Sequence, residues 1–127
     1  MVQSYNSHVD LTIQGTSFLG LPKYGKIMIG DKAFEFYNDR DINDYIQIPW
    51  DEVDKVIVSV VFKGKWIPRF AVKTKHNGSF TFSSRKPKEL LRAVRKYVGN
   101  DNVVKSLSFF QVMAIGLKET FTRKSKK

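Results

Sequence analysis

Two histidines, an acidic loop and one aromatic, cationic run are the residues whose type and spacing could carry chemistry. His8 and His76 are far apart in the chain. No serine or carboxylate is spaced to form a nucleophile relay with either, and both read as solvated side chains. The absence of cysteine excludes disulfides, thiolate catalysis and cysteine metal sites. No phosphate-cradling glycine loop or metal-ligand pair stands out. The loop "NDRDIND" (38–44) places Asp39, Asp41 and Asn43 at the first three ligand spacings of an EF-hand. Asp44 then stands where that loop needs glycine, and Trp50 where it needs glutamate. A polar turn between strands explains these residues. The expectation is a non-enzymatic protein with no catalytic residue, metal or cofactor.

The run "FKGKWIPRF" (62–70) packs three aromatics and three cations into nine residues. Such a run could stack bases, anchor on an anionic membrane or turn a corner between strands. Lys63-Gly64-Lys65 reads as a hairpin tip with both lysines in water, and Pro68, lacking a donor, marks a sheet edge or bulge. The whole chain is basic: 22 Lys and Arg against 12 Asp and Glu give a net charge of +10. That balance favours phosphate, on nucleic acid or on lipid. Alternating Phe80 and Phe82 read as core rather than as a base platform.

The elements that would position these groups are mostly strands. Val9, Leu11 and Ile13 alternate with polar residues, the period of a half-buried strand. Lys26–Ile29 and Lys32–Tyr37 follow, joined at Gly30-Asp31. "YIQIP" (45–49) halts at Pro49. The β-branched stretch from Val53 to Phe62 predicts a long strand, Trp66–Lys75 another and Ser79–Ser83 a third. Asn77-Gly78 predicts a two-residue hairpin turn. The period then changes. Leu90, Leu91, Val94, Tyr97 and Val98 share one face of a helix bounded by Pro87 and Gly99. Beyond "NDN" (100–102), Val103, Leu107, Phe110, Ala114, Leu117 and Phe121 recur at spacings of four and three, the seam of a second helix. Phe109, Val112 and Ile115 fall outside that seam and would face a partner protein or a second copy.

Seven strand patterns followed by a helix resemble a pleckstrin-homology or GRAM-like domain. "IQIPWDEVDKVIVS" and "FTFSSRKPKELLRAVRKYV" carry the likeness. It implies a mainly β fold, a bent seven-stranded sandwich or open barrel with a closing helix over residues 7–98. The block 103–121 would be an additional C-terminal amphipathic helix, and 122–127 a basic tail. A further resemblance runs along nearly the whole chain. "TSFLGLPKYGKIMIGDKAFEFYNDRDINDYIQIPWDEVD", "FKGKWIPRFAVKTK" and "SLSFFQVMAIGLKETF" look like ManO-type mannose operon regulators, a small bacterial family encoded beside mannose-family sugar phosphotransferase genes.

The resemblance implies a regulatory or accessory protein of the mannose-family phosphotransferase system. Its partners would be the permease subunits, bound at the cytoplasmic side of the complex and helped by an anionic membrane surface. A DNA-binding regulator of the operon is the alternative reading. Eukaryotic pleckstrin-homology domains hold lipid with basic residues of the first hairpin, and the corresponding "GLPKYGK" offers Lys23 and Lys26. With Lys63 and Lys65 these form the expected anionic-surface set. The opening "MVQSYNSHVD" lacks the basic and apolar regions of a secretory signal, so a cytoplasmic place is expected, peripheral at the inner face of the cell membrane.

Overall fold

The computed structural model describes residues 3–60 and 67–106. Alternating apolar residues build an antiparallel meander of β1 (Val9–Ser17), β2 (Lys23–Gly30), β3 (Ala33–Asn38) and β4 (Tyr45–Pro49). A single 3-10 turn at Trp50–Glu52 leads into β5 (Val53–Val58), which pairs antiparallel with β6 (Phe70–Thr74), and β6 with β7 (Ser79–Ser84). β7 returns to pair with β1. The helix α1 (Pro87–Val98) follows, and a short β8 (Val103–Lys105) lies parallel to β5.

Among the described residues eight strands therefore form one mixed sheet, in the order β4-β3-β2-β1-β7-β6-β5-β8. The sheet bends so that β3 meets β6 and β7 across the core. Phe34 and Phe36 approach Phe82 at 4.9 and 5.9 Å between ring centroids, and Phe34 meets Phe70 edge-on at 6.1 Å. All four rings are fully buried, and burying each contributes about 1.5–3 kcal/mol. Leu90, Leu91 and Val94 turn one face of α1 into the same core.

Several expectations change in this fold. Seven strands become eight because Val103–Lys105, read as the start of a second helix, is a strand. Val56, Ile57 and Val58 would otherwise leave a row of backbone groups open at the β5 edge; Val103, Val104 and Lys105 take those places in register. The rest of the proposed second helix and tail, with Phe109, Val112 and Ile115, lies outside the described residues, as do Lys63 and Lys65. The bend expected at Gly30-Asp31 falls at Asp31-Lys32, between the ends of β2 and β3. β5 ends at Val58, where a longer strand was expected, although buried Ser59 still exchanges hydrogen bonds with the Arg69 backbone. The Asn77-Gly78 turn is wider than two residues. Gly78 has the expected positive φ of 77°, but the Thr74 N–H and hydroxyl both donate to its carbonyl, at 2.9 and 2.6 Å.

The outer face of β3 carries a feature the hydrophobic pattern hides. Glu35 is fully buried. Its carboxylate accepts from the Ser4 hydroxyl, the Tyr5 N–H at 2.9 Å, Asn6 Nδ2 at 3.0 Å and Gln47 Nε2 at 3.1 Å. Four donors offset the cost of removing this charge from water. Asn6 also clamps the β2–β3 bend, where its Oδ1 accepts from the Lys32 and Ala33 N–H groups at 2.8 and 2.7 Å. Gly30 makes room for it: a Cβ there would lie 2.3 Å from Asn6 Cγ. Residues 4–8 thus form a strap fixed across the β2–β3 hairpin. Burial raises the pKa of Tyr37 beside Glu35, and the Glu35 charge adds to the effect.

Candidate functional site

Of the expected anionic-surface set, Lys23 and Lys26 lie among the described residues. Lys23 is half-buried, with its ammonium 2.8 Å from Asp44, and this contact lowers the Asp44 pKa. Lys26 lies 3.9 Å from Asp39, which also accepts from Gln14 Nε2 at 3.0 Å. The loop 38–44 uses its carboxylates in the turn itself: Asp41 Oδ1 accepts from the Asn43 N–H at 2.9 Å, and Asp44 accepts from Asn38 Nδ2. His76 is exposed in the β6–β7 turn, and His8 Nε2 lies 3.1 Å from Asp10.

The free cations gather elsewhere. On α1 the apolar residues point inward, which leaves Lys88, Arg92 and Arg95 on the exposed face at spacings of four and three. At 1.5 Å of rise per residue they span about 10 Å of helix. Arg85 and Lys86 extend the row past the helix start, where the Arg85 N–H donates to the Gln14 carbonyl of β1 at 3.2 Å. Lys105 reaches the same face from β8. Two adjoining depressions, of about 590 and 280 Å³, share Ile67, Lys88 and Arg92, and among the described residues Glu89 is the only acid lining either. None of the six cations forms an ion pair among the described residues. Val60 and Ile67, which flank residues 61–66, both line the smaller depression.

This concentration was missed from sequence because the cations come from three separate places in the chain. Arg92 and Arg95 lie opposite the apolar face of α1. Lys105 joins them only through the parallel β5–β8 pairing, for which residues 103–105 carry no local signal. Chemically, the face presents fixed positive charge over shallow, partly apolar ground, suited to an extended anionic surface. Its neighbour Lys96 is used structurally. The Lys96 ammonium lies 3.1 Å from Asp10, and the Tyr97 hydroxyl donates to the same carboxylate. The Tyr97 hydrogen bond, then Lys96, holds the Asp10 pKa below the usual carboxylate range, and Asp10 raises the pKa of both partners. Asp10 is the extra residue of a β1 bulge between Val9 and Leu11, which aims it at the helix.

Comparison with known proteins adds a family and a fold. Among solved structures, the crystal structure of the C-terminal domain of an unknown protein from Leishmania infantum is similar at a TM-score of 0.62. The match covers 71% of this chain and 83% of that one at 17% identity, a likeness of fold alone. No curated protein matches. No helix of the described residues is long and apolar enough to cross a membrane. The family model described as "Domain of unknown function (DUF956)" matches residues 1–117, and the chain belongs to that family.

Proposed function

We propose that this protein is a non-enzymatic docking module. It binds an anionic surface through the exposed face of α1 and Lys105, and it serves as a regulatory or accessory component of the mannose-family sugar phosphotransferase system. The bent sheet with its helix is read as a variant of the pleckstrin-homology or GRAM type, carrying an eighth strand. The observation behind the docking role is the set of six exposed cations on one face, unpaired among the described residues, of which Glu89 is the only acid in the depressions they border. Near an anionic bilayer each such cation contributes about 1 kcal/mol, an attraction that fades within a Debye length of about 8 Å at physiological salt. The mannose-system assignment rests on the sequence resemblance.

Co-sedimentation with vesicles tests the docking role. The protein should pellet with phosphatidylglycerol-containing vesicles and stay in solution with phosphatidylcholine alone, and rising salt should release it. Equal pelleting with both lipids would refute an electrostatic dock. Binding to duplex DNA with no affinity for anionic vesicles would favour the operon-regulator reading instead.

A further inference from the structure

At the opposite end of the strand order from β8, the outer edge of β4 has no partner strand among the described residues. Asn38 N–H donates to Asp44 O and Trp50 N–H to Lys32 O, at 3.1 and 3.0 Å, which fixes the hydrogen-bonded pairs between β3 and β4 at every second residue. Ile46 and Ile48 therefore bond to β3, opposite Phe36 and Phe34. Tyr45, Gln47 and Pro49 turn their backbone groups outward. Among the described residues nothing pairs with the Tyr45 and Gln47 N–H groups or with the carbonyls of these two residues, whereas the Pro49 carbonyl opens the 3-10 turn Trp50–Glu52.

This edge borders a depression of about 500 Å³ that Leu19, Thr74, Asn77 and Phe80 also line. Tyr5, Leu19 and Tyr45 on its rim are 50%, 51% and 41% exposed. Among the described residues the only charged one lining it is Glu52. We propose that this slot binds an extended peptide segment of a partner protein as an added strand on β4.

Three observations select that occupant. The open backbone groups recur with the two-residue period of a strand, and only another strand satisfies them together. Glu52 places one negative charge at the slot, which a basic side chain of a peptide complements. The lining is apolar apart from Glu52 and a few neutral polar groups. The peptide should therefore place an apolar side chain opposite Ile46, beside Leu19 and Phe80, and a Lys or Arg near Glu52. Pro49 has no N–H, so the pairing ends there and the segment is short.

The experiment selects a displayed library of random decapeptides on the full-length protein, and the selected peptide, synthesised, is the probe. Enriched sequences should alternate apolar residues and carry a Lys or Arg. The bound peptide should slow hydrogen exchange at the Tyr45 and Gln47 amides. Tyr45→Pro, which removes an outward N–H, and Leu19→Asp at the rim should each weaken binding at least tenfold, with melting temperatures showing both variants folded. If Tyr45→Pro fails to fold, Leu19→Asp with the exchange data decides. The proposal is overturned if no peptide is enriched, or if the peptide leaves both amides exchanging freely. It is equally overturned if both amides become protected without peptide as protein concentration rises, since a second copy would then occupy the edge.

Discussion

The indole of Trp50 lies flat against the Tyr97 ring, with centroids 5.2 Å apart and planes 9° from parallel. One residue closes the turn between β4 and β5, and the other stands in the last turn of α1. Trp50 Nε1 also donates to the Gly30 carbonyl at 2.8 Å. The contact thus joins the helix, the β4–β5 turn and the end of β2. Trp50→Ala should lower stability by about 2–4 kcal/mol, measured by urea unfolding, while Trp50→Phe should recover part of the loss. A change below about 0.5 kcal/mol, the range of surface substitutions, would show that this stack is incidental.

Glu35 holds the strap in place. Glu35→Ala removes the acceptor for four donors and leaves the Tyr5 N–H to find water. The expected cost is about 2 kcal/mol or more, given the strength of hydrogen bonds to charged groups. Amide exchange should quicken at Tyr5, Ser7 and His8, whose N–H groups are held by Glu35 and Asp31. Loss of stability with no faster exchange at the strap would contradict this role.

The Asp10 cluster gives a pH signature. A carboxyl with a depressed folded pKa stabilises the fold while ionised. Its contribution is complete above the ordinary aspartate value of about 3.9 and is lost as pH falls through the lower folded value. The raised pKa values of Lys96 and Tyr97 act oppositely: their contribution is complete below their ordinary values of about 10 and is lost as pH rises through the folded ones. The melting-temperature gap between wild type and Asp10→Asn should therefore be constant near neutrality and narrow at both extremes. A gap independent of pH would remove this cluster from the account.

Much of the sheet was legible because alternation and turn chemistry are local. β4 was expected at 45–49 and α1 between Pro87 and Gly99, and both occur there. The buried Phe82 was read from alternation with Phe80. The misses arise from non-local effects. Glu35 is buried by a strap some 30 residues earlier in sequence. Val103–Lys105 is a strand because β5 offers it an edge, while its own spacing also fits a helix. Of the expected site, Lys23 and Lys26 are visible and are held near Asp44 and Asp39. The cationic face needed the third dimension, since its members are separated by up to 20 residues.

Gly78 tests the β6–β7 turn. At φ 77° a β-branched residue is strained, so Gly78→Val should destabilise by on the order of 1 kcal/mol or more. Gly78→Asn should cost less, because asparagine tolerates this region of backbone space. Equal melting temperatures for wild type and the valine variant would contradict the turn.

The docking claim is tested most directly by moving charge on one face at a time. Lys88, Arg92, Arg95 and Lys105 changed together to Glu should abolish co-sedimentation with phosphatidylglycerol vesicles and leave the melting temperature within a few degrees of wild type. Lys23→Glu with Lys26→Glu, on β2 beside Asp44 and Asp39, should leave vesicle binding nearly intact. The account predicts loss from the first variant and retention by the second. Retained binding in the first, or loss confined to the second, would contradict it.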